Sequence, residues 1–283
     1  MILPLISLRL SPATAYSQNY LSYRATFGPD GYIANNGNIF LGLPSNLDLI
    51  AGYSTYNIGG IVQIFLLSVG RSTPKLSLYL NGSLTPIVNS YRSKRLGMSG
   101  SFRLANIGSS YDPDYSPLRV YLTFGYDRSD YTDGAATIAQ TTLNTVQLYP
   151  QDNNIIENDY TGGVKIKYYE TTFSASLILS NYNATNFPST PNLFVSNPPL
   201  YQQGYPDHIA YLKINHNLTR DISCYTSYSY IDYKFGQSGI ANSYLIGAIY
   251  YWKRFEMLLE YNCYAPSEGD VGNYFSVGIG STF

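Results

Sequence analysis

Residues able to carry out chemistry are few in this 283-residue chain, which contains two histidines and two cysteines. His208 directly follows Asp207, the one place where an imidazole and a carboxylate adjoin. General acid or base work would need both groups on one side. Neighbours along an extended strand project to opposite faces, so the pair is expected to be polar without being catalytic. Cys224 and Cys263 are too few for a disulfide framework and lack metal-ligand spacing. Neither a glycine-rich phosphate loop nor a metal cluster is apparent. The expectation is therefore a non-enzymatic chain with no catalytic residue, no metal and no cofactor. A net charge of -1 gives no basic footprint for nucleic acid.

The remaining candidates are charged residues set among alternating apolar ones: Arg24, Asp48, Lys75, Arg103, Arg119, Lys165, Lys167, Lys213, Glu256 and Glu260. Their scarcity is informative. Charged residues make up 12% of the chain, about half the share of a soluble domain, ~25%. Aromatics reach 16%, with 31 tyrosines, 12 phenylalanines and one tryptophan. Low charge with so much aromatic surface argues against disorder. No run of about 18 apolar residues exists that would make a membrane-spanning helix. The longest apolar stretch, 61–67 (Ile-Val-Gln-Ile-Phe-Leu-Leu), is far shorter.

The elements that must position these charges read as strands. Period-2 alternation dominates from about residue 18, and no segment has helical periodicity. Strands are predicted at 18–27, 38–43, 47–56, 61–69, 75–81, 96–105, 119–126, 158–169, 171–182, 208–217, 222–232, 244–252, 255–263 and 273–283. Fourteen is the expected number, within bounds of about 12 to 16. Reading back from the C-terminus, connections alternate long and short, as the outer loops and inner turns of a membrane barrel do. A soluble sandwich has no reason for that pattern.

Three places resist it. The connection 106–118 is long on the short side, and 57–60 is short on the long side. Residues 127–157 read as one long outer loop, although 145–149 has the composition of a strand and would raise the number to sixteen if a partner existed. Cys224 falls near the turn side and Cys263 near the outer side of non-adjacent strands, too far apart to bridge. His208 falls at the outer end of its strand and His216 at the inner end. Residues 1–17 read as a degenerate or shortened export segment or a disordered N-terminus, because Ala13-x-Ala15 ends an apolar stretch without a basic start. Residues 18–283 read as a single domain: an all-β, transmembrane, antiparallel up-and-down barrel.

Alternation gives two faces without saying which one is wet. The polar faces hold Ser, Thr, Gly and Tyr rather than Lys and Glu. Aromatics gather near strand ends, at Tyr53, Tyr56, Tyr126, Tyr160, Tyr168, Tyr169, Tyr182, Tyr251, Trp252, Phe255 and Tyr261, where a membrane interface would favour them. The final segment, 273–283, alternates and ends on Phe283. Here the chain resembles bacterial outer-membrane β-barrel proteins of the porin-like kind, whose last strand ends in an aromatic. In the family pattern polar-Gly-x-x-hydrophobic-x-aromatic, Gly278 and Phe283 match while Val277 and Ser281 depart. The resemblance implies a place in the bacterial outer membrane among its lipids. It also implies recognition of Gly278 and Phe283 by the barrel-assembly machinery, as a monomer or homotrimer.

With apolar faces toward lipid, the ten charged residues above line the lumen, seven positive and three negative. The expectation is an outer-membrane pore that passes small hydrophilic solutes by passive diffusion with weak anion preference. An equal alternative is that these charges pair across the lumen and only hold its shape. Inward Tyr20, Tyr79 and Tyr121 would then stack on solutes or fill space. Rival readings are a sleeve or assembly scaffold around a partner polypeptide, an outer-rim hydrolase using His208, and a soluble all-β binding protein.

Overall fold

In the computed structural model, which describes residues 19–57, 61–88, 91–107, 118–142, 145–183, 204–236 and 239–283, fourteen strands form one closed antiparallel barrel. In chain order they are β1 (Tyr20–Phe27), β2 (Ile33–Leu43), β3 (Leu47–Asn57), β4 (Ile61–Ser72), β5 (Leu76–Val88), β6 (Tyr91–Ile107) and β7 (Leu118–Thr142). They continue with β8 (Thr145–Tyr168), β9 (Thr171–Tyr182), β10 (Gly204–Asn217), β11 (Ile222–Gly236), β12 (Ile240–Trp252), β13 (Phe255–Pro266) and β14 (Gly272–Thr282). Each strand pairs with its sequence neighbours. The ring closes where β1 meets β14, from Tyr20↔Thr282 to Phe27↔Phe275. Closure leaves no edge strand with unpaired backbone groups, which a lipid environment requires. The expected leader 1–17 and most of the connections 106–118 and 183–207 lie outside the described residues.

Inner turns are tight. Ser45 and Asn46 (φ 66° and 58°), Tyr169 (φ 48°) and Lys253 (φ 56°) take left-handed backbone to reverse the chain within two or three residues. The turns 253–254 and 169–170 are two-residue hairpins of the kind that matches strand twist.

The expectation that 127–157 is one outer loop is corrected. β7 and β8 stay paired from Leu118↔Tyr168 up to Thr142↔Thr145, with one register shift between Asp133 and Ala136. The strand-like piece 145–149 is the start of β8 and needs no extra partner, so the number remains fourteen. The cause lies in what alternation reports. Here the inward parity holds apolar and polar residues alike, Ser129, Tyr131, Ile155 and Glu157, so the apolar period disappears while backbone pairing continues.

Parity along each strand is unambiguous. On β4, Ile61, Phe65, Leu67 and Val69 are exposed on the barrel's outside, whereas Val62, Ile64, Ser68 and Gly70 are buried inside. On β14, Phe275, Val277 and Ile279 point out and Tyr274, Ser276 and Gly280 point in. The outside carries two aromatic belts. Tyr53–Phe65, Tyr126–Tyr160, Tyr228–Tyr244 and Tyr261–Phe275 make ring pairs toward the outer end. Tyr168–Tyr169 and Trp252–Phe255 do so at the inner end, where the Lys253 ammonium lies 5.3 Å from the Trp252 ring. Tyr244 and Trp252 are eight residues apart on one strand. At about 3.4 Å per residue and a tilt near 40°, that places the belts about 20 Å apart, close to the ~25 Å apolar band of an outer-membrane barrel. Arg71, on the rung of Leu47 and Leu78 toward the inner end, is a charged residue on this outer face. Tyr56, Tyr182 and Tyr251, expected in the belts, share the inward parity instead; Tyr56 and Tyr182 pack with the inner cluster described below.

Candidate functional site

The inner wall of the barrel changes character along its length. At the outer end, Tyr32, Ala34, Tyr56, Val62, Ile64, Tyr131, Ile155, Ile178, Tyr205, Ile209, Ile231, Tyr233, Ala241, Tyr264 and Tyr274 form one buried apolar cluster. Val62, Ile209, Ile231 and Ala241 have 0% exposure. The phenols are tied down: Tyr233 Oη and Tyr264 Oη are 2.8 Å apart, and Tyr182 donates to Glu157 Oε1 at 2.6 Å. Tyr131 also donates to Glu157. Arg95 and Asp127 form an ion pair of 2.5 Å that is almost out of solvent. Glu157 and Asp159 project inward beside one another on the β8 extension, and Ser180 donates to Asp159 at 2.6 Å. Glu157 lies above the outer belt; burial first and Asp159 second raise its pKa.

Toward the inner end the lining turns polar and charged, and three of the expected lumen carboxylates are capped in one recurring way. Tyr79, Gly70 and Asp48 stand on one rung across β5, β4 and β3. With no side chain on Gly70, the Tyr79 ring lies flat over it and its hydroxyl donates to Asp48 at 2.7 Å. On β11, β12 and β13 the rung Tyr225, Gly247, Glu260 repeats the device, with the phenol donating to Glu260 at 2.5 Å. A Cβ on Gly247 would come within 2.4 Å of the Tyr225 ring. Tyr20, paired with Thr282 two residues away, reaches diagonally past Gly280 to donate to Glu256. Glu260 also accepts from Arg24 at 3.0 Å.

The cations on the opposite wall are arranged differently. Arg103, Tyr121, Lys165, Ser174, Lys213 and Ser227 follow one another on a single rung from β6 to β11. The adjacent rung carries Arg119, Lys167, Thr172 and Asn215. Lys213 Nζ lies 4.6 Å from the Tyr225 ring centroid and Lys165 Nζ 6.0 Å from that of Tyr121. Among the described residues, no carboxylate lies within ion-pair distance of Arg103, Arg119, Lys165 or Lys213. Arg103 Nη1, Arg119 Nε and Asn215 Oδ1 are buried atoms without a hydrogen-bond partner. Lys75 departs from the group. It sits exposed in the turn between β4 and β5, not on the lumen wall.

Three other placements bear on chemistry. Register shifts on either side of Pro206 put Asp207 and His208 together, with Nδ1 3.5 Å from Asp207 and 3.7 Å from Asp232. The expectation that strand neighbours must diverge fails at this bulge. Lys234 pairs with Asp207 at 3.5 Å, so the group is a partly exposed ion-pair cluster at the outer rim. His216 meets Thr171 at the inner end. Cys224 and Cys263 are free, on strands separated by β12. Sequence reasoning missed the apolar outer lumen. Its one signal was the run 61–67, apolar on both parities.

No protein-family model matches the sequence, and no curated protein matches it. Solved structures do. CdiB from Acinetobacter baumannii superposes with a TM-score of 0.52 at 11% identity, covering 95% of this chain. The chain spans 60% of CdiB's length. The Pseudomonas putida toluene transporter TodX gives 0.50 at 8% identity, covering 95% of this chain and 90% of that one. At such identities the likeness is one of fold. The function these names carry belongs to those proteins. Lipid-facing apolar residues outside, fixed charge inside and a closed fourteen-stranded ring give this chain the fold of an outer-membrane β-barrel, the fold it shares with these solved structures.

Proposed function

We propose that the barrel is a passive pore for small hydrophilic solutes, with a weak preference for anions and no enzymatic step. One observation carries the reading. The carboxylates Asp48, Glu256 and Glu260 are capped by tyrosine, with Arg24 added at Glu260, whereas Arg103, Arg119, Lys165 and Lys213 have no carboxylate within ion-pair distance among the described residues. Had the charges only braced the lumen, both signs would be spent on each other. Uncompensated fixed charge in a narrow aqueous path biases which ions pass.

The apolar outer cluster gives this pore its narrow zone. Ions avoid an unwetted apolar constriction, so the outer cluster governs how often the path conducts, and the inner wall governs which ion it favours. Insertion by the assembly machinery through Gly278 and Phe283, as a monomer or homotrimer, completes the proposal. The test is single-channel recording of the detergent-purified protein in planar bilayers. Discrete current steps are expected. A protein that inserts and stays electrically silent would overturn the pore and favour the sleeve around a partner polypeptide.

A further inference from the structure

We infer that the inner half of the lumen, along the wall from β6 to β10, is a binding site for a hydroxyl-bearing organic anion with at least two acidic groups. The inference rests on the pore reading and names the class of solute that its charged wall selects. Lys165 and Lys213 flank Ser174 on one rung, so their backbones are two strand spacings, about 9–10 Å, apart. Lys165 is nonetheless exposed within the lumen. Arg119 and Lys167 are directly paired on the next rung, and Arg103 faces Tyr121 on the first. A monoanion engages one or two of Arg103, Arg119, Lys165 and Lys213. An anion with two or more acidic groups engages both rungs together, and its charges supply the carboxylates that these four side chains do not have within ion-pair distance.

The polar atoms without partners sharpen the chemistry. Arg103 Nη1 and Arg119 Nε are unmatched donors, the fork-shaped groups that suit planar carboxylates. Asn215 Oδ1, on the rung of Lys167, is an unmatched acceptor. Another carboxylate cannot satisfy an acceptor; a hydroxyl can. Tyr121 and Tyr225, each beneath a lysine, limit how far those ammonium groups can retract. The outer cluster has no solvent contact at Val62, Ile209, Ile231 and Ala241, so the ligand reaches this site from the inner mouth.

Isothermal titration of the detergent-solubilised barrel tests this without needing current. Citrate is the probe, with tricarballylate, which is citrate without its hydroxyl, and acetate as comparisons. Citrate is expected to bind at least tenfold more tightly than acetate, and several-fold more tightly than tricarballylate. K165Q and K213Q should each weaken citrate by about tenfold, as loss of a charge-assisted contact does. N215A should remove only the difference between citrate and tricarballylate. Citrate binding no tighter than acetate, or unchanged in K165Q and K213Q, overturns the site. Equal binding of citrate and tricarballylate overturns the hydroxyl requirement. Heat-shifted migration on gels checks that each variant has folded. A barrel that binds citrate yet shows no current steps keeps the site and loses the pore. One with current steps and no citrate binding keeps the pore and loses the site.

Discussion

At the outer end of the lumen, Ile209 and Ile231 point inward and touch no solvent, while four residues further along β10 Lys213 points the same way into a wall of fixed charge. One parity of one strand thus serves two environments. The outer part is lined by buried aliphatic groups and tethered tyrosines. The inner part holds Arg103, Arg119, Lys165 and Lys213, with no carboxylate within ion-pair distance among the described residues. Alternation along a barrel strand separates lipid from lumen, but it does not set what the lumen contains. In this chain the contents change about halfway along the axis, and in the proposed pore this divides the labour between a constriction and a selective vestibule.

The sharpest way to break that division is to wet the outer part. Replacing Ile209 and Ile231 together with serine should raise the conducting fraction or the conductance on the order of tenfold, because polar walls remove the dewetted zone. Each buried Ile lost costs about 2–4 kcal/mol, so gel migration must show that the barrel survives. Unchanged current in a folded double variant would show that the outer cluster is not the constriction. Next in size is the inner wall. K165Q combined with K213Q should cancel the anion preference, shifting the reversal potential in a salt gradient to zero or past it, while leaving step frequency unchanged.

Smaller effects concern how the two parts are held. G247V drives a Cβ into the Tyr225 ring, which would then have to leave Glu260. A destabilisation of about 1–3 kcal/mol is expected from such overpacking, read as an earlier thermal transition, with little change in current until the barrel opens. The smallest effect is a pH dependence of the outer hairpin. Burial and Asp159 raise the folded-state pKa of Glu157. A carboxyl raised on folding contributes stability that is complete below its unfolded pKa and is lost as pH rises through the folded value. Protection of the β7 and β8 amides above the outer belt, taken relative to the intrinsic exchange rate at each pH, should therefore fall from acid toward neutral pH, and E157Q should flatten that fall.

Much of this architecture is legible in the sequence, because lipid imposes one simple rule. Outward residues between the belts are mostly apolar, so Leu76, Leu78 and Leu80 or Phe275, Val277 and Ile279 announce their strands. The charges Arg24, Lys165, Lys213 and Glu260 then follow by parity. What the sequence hid were features with no period. The β7–β8 extension mixes polar and apolar residues on its inward face, Ser129 and Glu157 beside Tyr131 and Ile155, so pairing carries it without a pattern. The bulge at Pro206 reverses the parity argument for His208, and only backbone register reveals it. The capping of Asp48 and Glu260 depends on glycines, Gly70 and Gly247, that stand opposite a tyrosine only once the ladder is known. The closed outer lumen left one trace, the run 61–67, in which Val62 and Ile64 break the rule of a polar interior.

In the proposed pore, selectivity is set by Arg103, Arg119, Lys165 and Lys213, which have no carboxylate within ion-pair distance among the described residues. The most direct test is the reversal potential of single barrels in a potassium chloride gradient. The account predicts a potential displaced toward that of chloride, by an amount well short of ideal selectivity. A displacement toward the potassium potential would contradict it, since the tyrosine-capped carboxylates would then be the charges that act.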